Sequence, residues 1–213
     1  QNYINEILTK DAKLKALESQ INPHFLYNAL ESVNWRAKAI GATDISHMVQ
    51  ALGDLLRATL SEKNSNFTIR HELQIVQDYI TIQRIRFDEE RLDYQQEIEE
   101  SILDAELPQM TIQPLIDNAI NYAMEVIADT CHIRLKGYAE NHTIHITVTN
   151  NGSQFEDHLL KKLQDGTVKP HGIGIGLLNI HQRIQLIYGE HYGLHLYNLD
   201  DEHAVAEIII PQT

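Results

Sequence analysis

Cysteine is almost missing from this 213-residue chain: Cys131 stands alone. A single thiol cannot close an internal disulfide, which excludes a disulfide-stapled scaffold and fits a reduced compartment. Basic residues are scarce as well. Lys and Arg number 17 against 30 Asp and Glu, a formal net charge of −13. Nucleic-acid binding and polybasic attachment to anionic lipid both need the opposite sign, so neither is expected. No apolar run approaches the ~18 to 20 residues of a membrane span, and the polar opening Gln1-Asn2-Tyr3 is no signal peptide. A start at Gln rather than Met reads as an excised fragment. Internal repeats and low-complexity tracts are absent, while the hydrophobic content is ordinary for a globular protein.

From Tyr3 to about Ala39 there is no glycine, and Pro23 is the only proline. Leu14, Leu17, Ile21 and His24 follow the 3-4-3 spacing of a coiled-coil seam. This predicts a long dimerising helix, bent at Pro23 by a lost backbone hydrogen bond. Gly41 closes it, and Thr43 or Asp44 caps a second helix through Leu60. Two such hairpins would make a four-helix bundle. After the polar connector Glu62–Asn66, a third helix is expected over about His71 to Asp88, then a strand over 92–98. Pro108 announces a helix bearing Asn118. Strands near 131–139 and 143–150 should flank a turn at Gly137–Asn141. A short helix over 156–165, a lid over 166–171, a helix behind Gly176 and strands near 193–199 and 203–210 complete the reading. The fold class is α+β, with residues 1–66 forming the helical part and 67–213 an α/β sandwich.

Three segments carry chemistry. His171-Gly172-Ile173-Gly174-Ile175-Gly176-Leu177-Leu178-Asn179 places three glycines at every second position ahead of a helix. Glycine lets main-chain N–H groups approach a ligand, and a helix N-terminus offers unpaired donors that favour phosphate. In Gln113-Pro114-Leu115-Ile116-Asp117-Asn118-Ala119-Ile120-Asn121-Tyr122 the apolar positions recur at helical spacing, so Asp117 and Asn118 share one edge. Ile144–Val148 alternates as a strand that breaks at Asn150-Asn151-Gly152. Their order resembles the N, G1 and G2 boxes of the Bergerat-type ATP-binding fold of sensor histidine kinases, Hsp90, MutL and type II topoisomerases. Leu17-Glu18-Ser19-Gln20-Ile21-Asn22-Pro23-His24-Phe25-Leu26-Tyr27-Asn28-Ala29-Leu30 is similar to the phosphoacceptor segment of bacterial sensor histidine kinases of the LytS/YehU type. Tyr79–Phe87 with Arg91-Leu92 is similar to the helix that links the two domains in that family.

The resemblance implies ATP-dependent phosphorylation of His24 and transfer to an aspartate of a response regulator, by a homodimer. Neutral imidazole has a free lone pair near pH 7, and in-line attack needs positioning more than covalent help. Asn28, one turn on, would orient the ring or hold a water, or make a plain bundle contact. Phe25 stands where many relatives have an acidic residue. Asn118 would give an amide oxygen to Mg²⁺, and Asp117 would order a water or a contact behind it. Asn121, Tyr122, Asn150, Gly152, Lys169, Gly172, Gly174, Gly176, Leu177 and Asn179 would line the ATP site, with Arg183 structural. Three departures stand out: Asn150 for the usual Asp that reads the adenine amino group, Gln154 for a glycine, and Asn121 for a lysine. They keep open an alternative, a degenerate scaffold that signals through dimerisation. A clamp ATPase of the Hsp90 or MutL kind would leave the Asn-Pro-His-Phe helix unexplained. His142 and His145, like His191 and His195, lack the partners of a zinc site. In the family a missing N-terminal part holds membrane spans and a sensor. The piece is therefore expected to be cytoplasmic and the whole protein to sit in the cell membrane.

Overall fold

The computed structural model describes residues 23–60, 67–87, 89–152, 154–167 and 173–212. The chain divides into two compact units, Gln1–Leu60 and Ser61–Thr213. Among the described residues no helix is long and apolar enough to cross a membrane.

The first unit is a helical hairpin of α1 (Pro23–Ala39) and α2 (Thr43–Leu60). Arg36 and Lys38 in the last turn of α1, and Asp44 in the first turn of α2, oppose the helix dipoles. Gly41 turns the chain at φ +73, and Ala42 N–H donates to the Ala37 carbonyl at 2.9 Å. That left-handed residue just past the helix end is why glycine stands there. Small Ala37 and Ala51 are buried, and buried Ser46 donates to Asn34 Oδ1 at 2.6 Å. The expected seam residues Leu14, Leu17 and Ile21 lie outside the described residues.

The second unit begins with α3 (Ile69–Phe87), followed by β1 (Leu92–Ile98), α4 (Gln113–Val126), β2 (Cys131–Glu140) and β3 (Thr143–Asn151). It continues with α5 (Leu159–Gln164), α6 (Ile173–Tyr188), β4 (Gly193–Asn198) and β5 (His203–Pro211). The sheet order is β1-β2-β3-β5-β4, with only β1 and β2 parallel. Every second residue of β2 and β3 is buried: Cys131, Ile133 and Leu135, then Ile144, Ile146 and Val148. α4 packs over β2 and β3, and α6 over β4 and β5. Each isoleucine so covered contributes roughly 1.5–3 kcal/mol. The opposite face is polar: Asp93 pairs with His132 at 2.9 Å, and Glu97 with Lys136 at 3.3 Å. The fold is α+β, helices followed by a helix-covered sheet.

Two expectations need correction. Gly137 is not in a turn: it pairs with Ile146 inside β2, and a Cβ there would lie 2.9 Å from Ile98 Cδ1. The reversal falls at Asn141 and His142, with φ of 49° and 65°. Such paired positive φ values suit a tight hairpin. The short helix starts at Leu159 rather than 156, behind His158 at φ 58.

Candidate functional site

The site is built on α4, and its entry is fixed from two sides. Glu72 of α3 is fully buried and accepts the N–H groups of Met110 (2.7 Å), Thr111 (2.8 Å) and Ile112 (2.9 Å). A carboxylate taking three backbone donors fills the place of partners that a helix start lacks. Arg183 of α6 reaches the Met110 carbonyl at 2.7 Å and Thr111 Oγ1 at 3.1 Å. Burial lowers its pKa while the nearby Glu72 charge raises it. Pro114 fits the first turn, where its missing N–H costs nothing. At the far end Arg91 donates to the Ile127 carbonyl at 3.2 Å, a cation at the negative helix pole.

Leu115, Ile116, Ala119, Ile120 and Ala123 bury one side of α4. The edge beside them carries the candidate residues Asp117, Asn118, Asn121 and Tyr122. Asp117 Oδ1 accepts the Tyr79 hydroxyl of α3 and Asn121 Nδ2–H at 3.2 Å. Burial, then the Asp117 bond and charge, raise the Tyr79 pKa far above the ordinary phenol value. Asn118 is 8% exposed, and its Nδ2 has no partner among the described residues. A buried amide left so is costly unless a ligand completes it. Tyr122 meets Phe155 edge-on, with centroids 6.5 Å apart.

At the end of β3, Asn150 is on the buried face and donates Nδ2–H to the Asn151 carbonyl at 3.1 Å. Asn151 clasps the β2 entry, accepting from His132 N–H at 2.8 Å and donating to the Thr130 carbonyl at 3.1 Å. Gly152 has φ +89, and a Cβ there would be 2.2 Å from Ile127 Cδ1. The turn therefore touches the residue that follows α4, and only glycine fits. Gln154 donates to the Asp200 carbonyl at 2.6 Å, which gives it a structural partner. Phe155 and Asn198 exchange two 2.9 Å hydrogen bonds.

The glycine segment departs from its expected form. α6 begins at Ile173, so Gly174 and Gly176 are inside the helix rather than in a loop ahead of it. Glycine in a helix interior costs about 1 kcal/mol, and the buried Leu177, Ile180 and Ile184 offset this. Gly176 has nothing within 4 Å of its Cβ position. Leu177 faces the core and Asn179 is exposed. α4 and α6 pack against each other, bringing both segments into one region. Lys169 and Gly172 lie outside the described residues. In the other unit His24 falls in the first turn of α1; exposed Asn28, one turn on, accepts Ser32 Oγ at its carbonyl at 2.8 Å. Glu72 escapes a sequence reading, although a carboxylate within the apolar series Ile69, Leu73, Ile75 and Val76 was the available signal.

Comparison with known proteins agrees with this geometry. A family pattern described as histidine kinase matches residues 12–92. Another, described as histidine kinase-, DNA gyrase B-, and HSP90-like ATPase, matches residues 103–210, over half of the chain. The chain belongs to that ATPase family. With both patterns in this order it is a histidine kinase chain of the LytS/YehU type. Sensor histidine kinase YesM of Bacillus subtilis is 42% identical over 211 residues, 99% of this chain and 35% of that protein. Sensor protein LytS of Oceanobacillus iheyensis is 30% identical over 210 residues, again 35% of that protein. The histidine kinase chain thus spans about a third of the curated relatives it matches. In fold it is similar to the nucleotide-free catalytic domain of histidine kinase ThkA, with TM-score 0.54, 18% identity and coverage of 71% and 99%. A complex of ThkA with response regulator protein TrrA aligns with all of this chain and 64% of that one, at TM-score 0.50 and 16% identity.

Proposed function

We propose that this chain is the kinase core of a two-component sensor: it binds Mg²⁺-ATP on residues 67–213 and phosphorylates His24 within residues 1–66. The observation that carries the reading is the joint match, on one chain, of the histidine kinase pattern around His24 and the ATPase pattern around Asn118. A ring nitrogen of neutral His24 attacks the γ-phosphorus, the bond to the β,γ-bridging oxygen breaks, and ADP leaves. The phosphoryl group then passes to an aspartate carboxylate of a response regulator. The ThkA complex, which holds such a regulator, supports that partner class.

The residues at the site fit both groups. Asn118 is a buried amide whose unpartnered nitrogen would donate to a phosphate or water oxygen, while its oxygen would suit a hard cation that neutralises phosphate charge when bound. Asp117, held by Tyr79 and Asn121, orders water beside it. Asn150 and Gly152 take the adenine side, with Tyr122 beside Phe155. The start of α6, with Gly174, Gly176 and the Leu177 and Asn179 backbone, receives the phosphates together with Lys169 and Gly172. Asn28 orients His24. A homodimer is proposed because Phe25, Trp35 and Ile40 are 68%, 69% and 78% exposed on a hairpin with little core of its own. Sedimentation as a monomer at tens of micromolar, an estimate of where moderate interfaces fill, would count against it.

The test is incubation with γ-labelled ATP and Mg²⁺. Acid-labile, base-stable label on the chain is expected. Neither label nor ATP binding would return the reading to the degenerate scaffold that binds nucleotide weakly or not at all, which the matches do not favour; ATP binding without label would move the acceptor off this chain.

A further inference from the structure

Besides Glu72 at the entry of α4, helix α3 brings a second side chain to the candidate site. Tyr79 is on the buried face of α3, and its phenol donates to Asp117 Oδ1. Asn121 donates to the same oxygen from one turn along α4. Gln83, one turn on from Tyr79, is near enough to offset a small part of the rise in the phenol's pKa. Asp117 Oδ2 has no hydrogen-bond partner among the described residues. A lone carboxylate rotates and exchanges its oxygens. Two donors arriving on one oxygen from two helices stop that exchange and leave Oδ2 as the oxygen open to water or ligand. Burial and the Asp117 charge keep the phenol protonated, so it remains a donor throughout the working pH range.

We propose that Tyr79 is a positioning residue: by holding Asp117 Oδ1 it makes the carboxylate act through Oδ2 on the phosphoryl-transfer site beside Asn118. The proposal rests on the kinase reading above. A preformed carboxylate matters because phosphoryl transfer is accelerated mainly by positioning and fixed charge. Residues standing behind a functional group commonly contribute ten- to a hundredfold.

Tyr79→Phe keeps the ring and its packing and removes only the donor. At saturating ATP its rate of histidine labelling should fall on the order of tenfold, with the KM for ATP within about twofold of the unsubstituted chain. Asp117→Asn should lower the rate at least as far, and Tyr79→Phe in that background should cost nothing more, the mark of two residues acting as one. A second readout needs no activity. In the chain carrying ¹³Cζ-tyrosine, the resonance lost in Tyr79→Phe should move on Asp117→Ala, because the phenol loses its carboxylate acceptor. Four results bear on the proposal in different ways. An unmoved resonance, or a full-rate Tyr79→Phe, overturns the role of Tyr79 and leaves the kinase reading standing. An equal loss with and without Asp117 assigns Tyr79 to packing and overturns the role as well. A chain that takes no label at all overturns the kinase reading, and this role with it.

Discussion

At Gly152 a single hydrogen atom in place of a side chain lets the turn after β3 lie against Ile127. Gly152→Ala meets two penalties, a left-handed φ of +89 and a Cβ 2.2 Å from the Ile127 side chain. Together these should cost about 2–4 kcal/mol, read as a lower urea midpoint for the second unit. Ile127→Ala in the same chain should return the contact part of the loss and leave the φ part. A Gly152→Ala chain of unchanged midpoint would mean that the turn relaxes freely. The turn itself was legible, since Asn-Asn-Gly after an alternating strand is a strong signal. The partner was not: Ile127 is 25 residues away and follows a helix. Cys131 was legible too, as a strand residue. Its burial pushes the thiol up to about 12, so the native protein should resist thiol reagents that label it when unfolded.

Helices and strands differ in how much of them can be read. Period-two alternation places β1, β2 and β3 almost to the residue, while the order that puts β5 between β3 and β4 depends on long-range pairing that no local pattern encodes. Gly137 was misread because glycine punctuates turns more often than it makes room for a neighbouring strand. The start of α6 was misread because glycines lower helix propensity, yet the apolar face from Leu177 onward carries the helix back to Ile173. α3 hides the most, since Glu72 looks like an ordinary solvated carboxylate until its three N–H partners are seen. Glu72→Gln would turn one acceptor oxygen into an NH₂ facing a backbone N–H. The second unit should lose about 2–3 kcal/mol, measured by urea unfolding. A loss under about 0.5 kcal/mol, the range of a surface substitution, would contradict the clamp.

α6 also carries a pH response. Its His181 is buried, and its Nδ1 accepts the Leu194 N–H of β4 at 3.1 Å. Burial first, with the nearby His195 charge, lowers its pKa below the usual 6.5. Between the lowered value and 6.5 the unfolded chain binds the proton and the folded one does not. This contribution to stability is therefore whole above pH 6.5 and drains away as pH falls toward the folded-state value. The urea midpoint should drop more between pH 7.5 and 5.5 in the unsubstituted chain than in His181→Gln. Equal drops would place the acid sensitivity elsewhere.

As a whole molecule the chain holds the proposed acceptor and the proposed nucleotide site in different units: His24 belongs to one, Asn118 and the glycines of α6 to the other. Both candidates are legible as motifs, because each rests on local residue types, whereas the supports from Glu72 and Tyr79 depend on tertiary packing. The central claim is that His24 alone takes the phosphoryl group from ATP held elsewhere. His24→Gln removes the nucleophilic nitrogen without touching the second unit, so its direct test pairs ATP calorimetry with labelling by γ-labelled ATP. The account predicts ATP affinity within about twofold of the unsubstituted chain, a difference of about 0.4 kcal/mol, and no acid-labile label. Full acid-labile label on His24→Gln would contradict it and move the acceptor to another histidine.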